Sequence, residues 1–358
     1  MTSNRTTDAA TPPVHDHITD AVKAPALVRL APNVVLMRFE TLKVYAADGA
    51  VRHLLGTGAI RPGQTLVDSS SGIYALALAM ACHRHGLRCR IVASTTVDDT
   101  IRAQLEVLGV TVDQMPPSDD LRLDQNRRVA RVRELLARDP DLHWMRQYHD
   151  DVHHLGYAEA ADLLRGALPG EQLTVVGSVG TGASTGGLTR SLREHDPRTL
   201  LVGVQPFGSV TFGSERFTDP DAIIAGIGSA IHFDNVHHDL YDRVHWLDFR
   251  HAMAATIGLL REHAVFAGLS TGAAHLVARW EAARHPDRTH VVIGADTGHR
   301  YTQRVFARHR EALDPAELAP VEIASLDELT PPWAAIDWAR RPRGPLVPTQ
   351  ERWKDPVP

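Results

Sequence analysis

The strongest constraint on this chain is an alternation of short β-branched apolar runs with helix-spaced segments, joined repeatedly by glycine. Strands are expected at 34–39, 64–67, 89–93, 110–112, 173–176, 200–204, 244–247 and 289–293. Helices are expected between them at 49–55, 72–85, 100–108, 127–137, 187–194, 249–263 and 273–283. A strand followed by a crossover helix returns to a parallel neighbour, with helices covering both sheet faces. The fold class is therefore α/β. The elements fall into two sets, which predicts two doubly wound three-layer domains with mostly parallel sheets. A site is expected in the cleft near the C-terminal ends of the strands.

Composition narrows the function classes. The chain has 358 residues, 38 basic and 43 acidic side chains and no basic block, which argues against a nucleic-acid partner held by phosphate neutralisation. No apolar run reaches the roughly 18 residues of a membrane span, so no membrane partner is expected. Two cysteines, Cys82 and Cys89, cannot build a disulfide framework, and the N-terminus lacks a basic region followed by an apolar stretch. Both features predict a cytoplasmic protein. Residues 1–24 read as a mobile tail. Residues 313–358 read as a Pro-rich C-terminal extension that Trp333 and Trp338 could pin to a surface.

Lysine occurs only at Lys23, Lys43 and Lys354, and the other 35 basic residues are arginine. Lys23 and Lys354 lie in the expected tails, which leaves Lys43 as the credible residue for any Schiff-base chemistry. An exposed lysine without a role is the simple alternative. The clearest local motif is the run Gly-Ser-Val-Gly-Thr-Gly-Ala-Ser-Thr-Gly-Gly at 177–187, between an apolar strand and a helix. Glycines permit close backbone approach, and the N–H groups opening a helix attract an anion such as a phosphate. Thr181 and Ser184 could add hydroxyl donors. A nicotinamide dinucleotide fits poorly, because the following strand ends in Gln205 and Pro206 without the acidic residue that holds a ribose. A ligand-free glycine turn is the alternative. Asp68-Ser69-Ser70-Ser71-Gly72 forms a second strand-to-helix junction suited to a carboxylate; taken alone, helix capping is the simpler reading. Gly268-Leu269-Ser270-Thr271-Gly272 and Asp296-Thr297-Gly298 are unremarkable singly.

Together, and in this order, these segments resemble the pyridoxal-phosphate enzymes of the cysteine synthase and cystathionine β-synthase family (fold type II, the tryptophan synthase β-like group). The resemblance runs from about Val34 to Phe306. Thr41-Leu42-Lys43 resembles the family's Ser-x-Lys with the Schiff-base lysine, making Lys43 the catalytic residue. Arg61-Pro62-Gly63-Gln64-Thr65 followed by Ser70-Ser71-Gly72 resembles the strand and substrate-carboxylate loop. Gln147-Tyr148 is similar to the Gln-Phe pair that helps hold that carboxylate. Gly180-Thr181-Gly182-Ala183-Ser184 resembles the loop that cradles the cofactor phosphate. Ala225-Gly226-Ile227-Gly228 resembles the segment lining the mouth, with Gly226 toward the substrate. Ser270 falls where the family places a serine on the pyridine nitrogen, and Asp296-x-Gly298-x-Arg300-Tyr301 is similar to the closing motif.

The resemblance implies pyridoxal 5′-phosphate as cofactor, a small amino-acid substrate, a small nucleophile and a homodimer. It assigns 25–40 with 156–312 to a larger phosphate-binding domain and 41–155 to a smaller mobile domain carrying Lys43 and the carboxylate loop. The implied reaction is β-elimination or β-replacement on a serine- or cysteine-type amino acid through an aminoacrylate. A dehydratase or β-lyase releasing an oxoacid and ammonia, and a catalytically impaired partner or sensor, are the alternatives. Three departures bear on them. Ile73 replaces the family's Asn at the pyridine 3′-oxygen and Tyr74 its Thr; Val44-Tyr45 replaces an Asp-Arg pair. His149-Asp150-Asp151-Val152-His153-His154 replaces an Asn-Pro-rich stretch. This stretch is expected to line the mouth of the site, where an imidazole could move a proton. Neither it nor His232, His237 and His238 shows the i, i+4 pair of a defined zinc motif, so no metal is expected from spacing.

Overall fold

A computed structural model describes residues 13–70, 72–94, 99–116, 121–222 and 226–343. Its elements are, in chain order, α1 (Ile18–Ala21), β1 (Ala26–Ala31), β2 (Val34–Arg38), α2 (Lys43–Gly56), β3 (Thr65–Ser69), α3 (Ile73–His85) and β4 (Arg88–Ala93). Then come α4 (Asp99–Val107), β5 (Thr111–Gln114), α5 (Leu121–Arg138), β6 (His143–Trp144), α6 (Tyr157–Ala167), β7 (Leu173–Ser178), α7 (Ala183–Arg193) and β8 (Leu200–Pro206). The chain continues with β9 (Arg243–Leu247), α8 (Phe249–His263), α9 (Leu269–Arg284), β10 (Thr289–Gly294), β11 (Val321–Glu322) and β12 (Trp333–Asp337). One sheet runs β1-β2-β10-β7-β8-β9-β12-β11, the other β5-β4-β3-β6. The second sheet and the central run β2 to β9 of the first are parallel throughout.

Alternation along each strand divides the side chains between two helix layers. Val35, Met37, Val175, Leu201 and Val244 face a core shared with Tyr157, Leu164, Leu188 and Leu192 of α6 and α7. Val34, Leu36, Val176, Val202 and Val292 face the opposite core with Met253, Ile257, Leu276 and Val277 of α8 and α9. In the smaller sheet Leu66 and Ile91 pack on Leu78, Cys82 and Leu105, while Val67 and Val92 pack on Val132 and Leu135 of α5. Both units are three-layered, as the alternation predicts.

Several expectations need correction. Helices α2, α7 and α9 begin at Lys43, Ala183 and Leu269, several residues before their expected starts at 49, 187 and 273. Glycine, serine and threonine in the first turns of α7 and α9, and Val44 and Tyr45 in that of α2, have modest helix propensity, but burial of these turns overrides it. Lys43 is thus the opening residue of a helix, where a linker ahead of the helix was expected. The elements α1, β1, β6 and α6 went unpredicted. The segment expected as a mobile tail is tied down from residue 18. Lys23 is buried and donates to Asp48 at 2.6 Å and Glu159 at 3.1 Å, and β1 pairs antiparallel with β2. The Pro-rich extension likewise supplies β12, antiparallel to β9, with Trp333 and Trp338 buried. Its prolines flank that strand and leave the ladder intact. Residues 1–12 and 344–358, including Lys354, lie outside the described residues.

Candidate active site

The site forms where β2, β10 and β7 end side by side. After β2, the Phe39 amide donates to Gly294 O at 2.9 Å and the Leu42 amide to Ala295 O at 2.8 Å. Thr41 bridges Asp296 across the same gap. These bonds hold the start of α2 against the chain leaving β10. Lys43, half-buried, extends across to the turn after β7, where its Nζ donates to Thr181 Oγ1 at 3.3 Å. Removal from water lowers the Lys43 ammonium from its ordinary 10.5 to about 8.

The turn itself is shaped by missing side chains. Gly182 precedes α7 with φ +81°, in the left-handed region, and a Cβ there would stand 2.6 Å from Asn235 O. At Gly180 a Cβ would meet Gly226 O at 3.0 Å. Gly182 offers α7 no capping side chain, and apart from a long Ala183 N–H to Thr181 Oγ1 bond of 3.5 Å the first N–H groups of the helix are left for an anion. Ala183 is buried and Ser184 half-buried beside them. Gly226, exposed and also at positive φ, lies over Gly180; its neighbour Ala225 lies outside the described residues.

The same end of the sheet carries the start of α9. Ser178 Oγ donates to Ser270 O at 2.8 Å, which fixes the first turn and buries Ser270. At Gly268 a Cβ would sit 2.0 Å from Asp296 Oδ1, so only glycine lets that carboxyl in. Desolvation lifts Asp296 to about 6, opposed by Arg300, whose Nη1 is 3.7 Å away. Arg300 also reaches the other unit, 3.6 Å from where a Gly72 Cβ would be. This approach of Arg300 to the carboxylate loop joins segments more than 200 residues apart, and no local spacing announces it.

On the smaller sheet, α3 starts after Gly72 without a side-chain cap, and the Gly72 amide donates to Ser70 Oγ at 3.4 Å. Ser71 lies outside the described residues. Gln147 Nε2 donates to Ser69 O at 2.7 Å and its amide to Asp68 Oδ2 at 3.0 Å, which makes Gln147 a brace for this loop. Asp68, raised to about 6 by burial, also accepts from the Ser69 amide and Trp144 Nε1. Among residues the sequence left without a role, Arg128 donates to Ser69 Oγ at 3.0 Å while paired with Asp124. Tyr74 OH and His153 Nε2 are 2.9 Å apart. The histidine stretch does not all line a mouth: His149 pairs with Asp234, whereas His153 and His154 are buried. Burial lowers His153 to about 4 and His154 to about 3.

A glycine-walled anion cradle facing a desolvated lysine at the ends of parallel strands, with a helix-opening serine loop on a second sheet, defines a class: pyridoxal-phosphate enzymes of fold type II. The uncapped α7 terminus and the room that Gly180 and Gly182 leave suit the phosphate, and the lysine suits the aldehyde. Residues 36–295 match the family of pyridoxal-phosphate dependent enzymes, and the chain belongs to it. The N-(2-amino-2-carboxyethyl)-L-glutamate synthase of Cupriavidus metallidurans is 32% identical over 261 residues, covering 70% of this chain and 74% of that protein. The structure of O-ureido-L-serine synthase superposes with a TM-score of 0.71 at 22% identity, over 81% of this chain and 94% of the other. The O-acetylserine dependent cystathionine β-synthase from Helicobacter pylori gives 0.72 at 21%, over 82% and 98%. These two share the fold. The cofactor is pyridoxal 5′-phosphate.

Only the neutral amine joins an aldehyde, so uptake of pyridoxal phosphate by apo-protein accelerates as pH rises toward about 8 and levels off above it. An ordinary lysine would keep accelerating to about 10.4. Stopped-flow absorbance across that range distinguishes the two profiles.

Proposed function

We propose that this protein catalyses β-replacement on a serine-type amino acid, joining its Cβ to a second small substrate. The observation that carries this reading is the Lys43 amine at 3.3 Å from Thr181 Oγ1, at the head of the glycine cradle. In the proposal, Gly180, Thr181, Gly182, Ala183 and Ser184 hold the cofactor phosphate, Lys43 holds the aldehyde carbon, and Ser270 lies at the ring nitrogen. A neutral hydroxyl there leaves that nitrogen unprotonated, which suits elimination and replacement better than transamination. Pyridoxal phosphate, when bound, supplies an electron sink for Cα, so that a leaving group can depart from Cβ. Ser70, Ser71 and Gly72 receive the substrate carboxylate, braced by Gln147, with Arg300 adding positive charge beside Gly72 and Gly226 at the mouth. Lys43, poised near neutrality, takes the Cα proton as general base.

The name of the Cupriavidus relative describes a three-carbon amino-acid unit attached to glutamate, and that supports an amino-acid nitrogen as the nucleophile. We also take residues 41–155 as the smaller mobile domain, and the enzyme as a cytoplasmic homodimer. Among the described residues no helix is long and apolar enough to cross a membrane.

The test is to titrate the cofactor-loaded protein with L-serine, O-acetyl-L-serine, O-phospho-L-serine and L-cysteine while following its visible absorbance, then to add L-glutamate. We expect one donor to shift the band and glutamate to restore it with formation of a coupled product. Oxoacid release with or without glutamate would select elimination instead. A band that no amino acid moves would sink both readings.

A further inference from the structure

Beyond that reaction, two residues of one helical turn, Asp151 and His154, meet the sequence-distant His237 against the α7 helix that opens at the cradle. His237 Nε2 lies 2.7 Å from Asp151 Oδ1, and His154 Nε2 lies 3.9 Å from the same oxygen. The three donor atoms all fall within 4.8 Å of one another. His154 is the telling member. Its side chain is 4% exposed, yet neither ring nitrogen has a hydrogen-bond partner. Buried polar groups are normally satisfied, and an unpartnered imidazole lone pair aimed at a carboxylate and a second imidazole needs an explanation. Two glycines of α7 make room for it: a Cβ at Gly186 would meet His154 Cε1 at 2.8 Å, and one at Gly187 would meet His154 O at 2.6 Å.

We propose that Asp151, His154 and His237 bind a divalent transition-metal ion of the zinc class. Two imidazoles and one carboxylate match the ligand types of such sites, with water completing the shell on the side where Asp151 is exposed. Tetrahedral bonds of about 2.0–2.2 Å put donor atoms roughly 3.3 Å apart. The observed 2.7 and 3.9 Å bracket that spacing and all three donor atoms lie within 4.8 Å of one another, so binding requires side-chain adjustments on the order of an ångström. Arg190 Nη1 lies 3.6 Å from the other Asp151 oxygen and offsets the carboxylate charge. The imidazoles therefore supply the affinity, which selects zinc, cobalt or nickel over magnesium and calcium, ions that favour oxygen ligands.

The placement gives the ion a mechanical role. Asp151 and His154 follow Gln147, the brace of the carboxylate loop. His237 follows Asn235, whose Nδ2 donates to Gln147 O at 2.9 Å and Asp150 O at 3.1 Å and whose own carbonyl walls Gly182. A bound ion ties the brace to the cradle wall.

The experiment uses the full chain loaded with pyridoxal phosphate, treated with chelator, desalted and titrated with cobalt(II). One equivalent is expected to give the intense visible ligand-field absorbance of a four- or five-coordinate site. Zinc should displace it and millimolar magnesium or calcium should not. His237→Ala at a half-buried position and Asp151→Asn at an exposed one should each weaken cobalt binding by more than the about 10- to 100-fold that loss of an outer-shell partner costs. A cobalt spectrum of octahedral, weakly absorbing form would overturn the proposal. So would binding unchanged in both variants, which would place the ion on other members of a set of 21 histidines.

Discussion

Lys43→Ala is expected to yield a folded protein that lacks the visible absorbance of lysine-bound pyridoxal phosphate and turns over at least about 100- to 10,000-fold more slowly, the range attributed to a positioned general base. The expectation rests on scarcity as much as on geometry. Among the described residues the only other lysine is Lys23, which is buried and held in ion pairs with Asp48 and Glu159. No neighbouring amine can therefore substitute. Absorbance spectra and steady-state rates of the variant, beside a circular dichroism control for folding, decide the matter. A variant that keeps the band would remove Lys43 from the mechanism.

Gly182→Ala should be the most damaging single change in the cradle. At φ +81° a residue with a Cβ is strained by about 1–3 kcal/mol, and here that Cβ would also lie 2.6 Å from Asn235 O and 2.9 Å from Val236 Cα. Backbone atoms cannot swing aside as a side chain can, so α7 or the 235–236 segment must shift. We expect cofactor affinity to fall by more than about ten-fold, equivalent to 1.4 kcal/mol, measured by equilibrium dialysis, together with a loss in denaturation midpoint. Gly58→Ala is the control. Gly58 has a similar φ of +74° but nothing within 4 Å of its Cβ, so it reports strain alone. Equal effects at both positions would mean that the contact with Asn235 is unimportant.

How much of this was legible beforehand follows from which interactions are local. The strand cores at 173–176 and 244–247 lie inside β7 and β9, and the helix 249–263 coincides with α8, because apolar periodicity is a property of neighbours in sequence. The same logic failed at Lys43, Ala183 and Leu269. At Ala183 and Leu269 small and polar residues read as linkers, and at Lys43 no capping side chain marks the start, although buried packing draws all three segments into first helical turns. Trp333 and Lys23 failed for a different reason. Each is stabilised by a partner far along the chain, His245 for the indole at 3.1 Å and Asp48 for the ammonium, and no spacing rule announces such a pair.

The site was readable as a set of motifs, but its departures were readable only as departures. Tyr74 stands in place of a family Thr, and His153 lies in the stretch that replaces an Asn-Pro-rich segment. In three dimensions they meet, the phenol and imidazole 2.9 Å apart with both side chains buried. Two substitutions that separately put the cofactor pocket in doubt thus form one interaction, which sequence order could not reveal because 79 positions separate them.

The C-terminal strand has a consequence for handling the protein. Were the chain cut before Trp333, β9 would present a row of unpaired N–H and C=O groups, a template for strands of other molecules and so for aggregation. As built, β12 occupies that row, and the two-residue β11 ends the sheet with Glu322 clasped by Arg243 and Arg284. A short, charged border of this kind offers little for another chain to extend, so the segment after residue 313 serves the protein's solubility as well as its core.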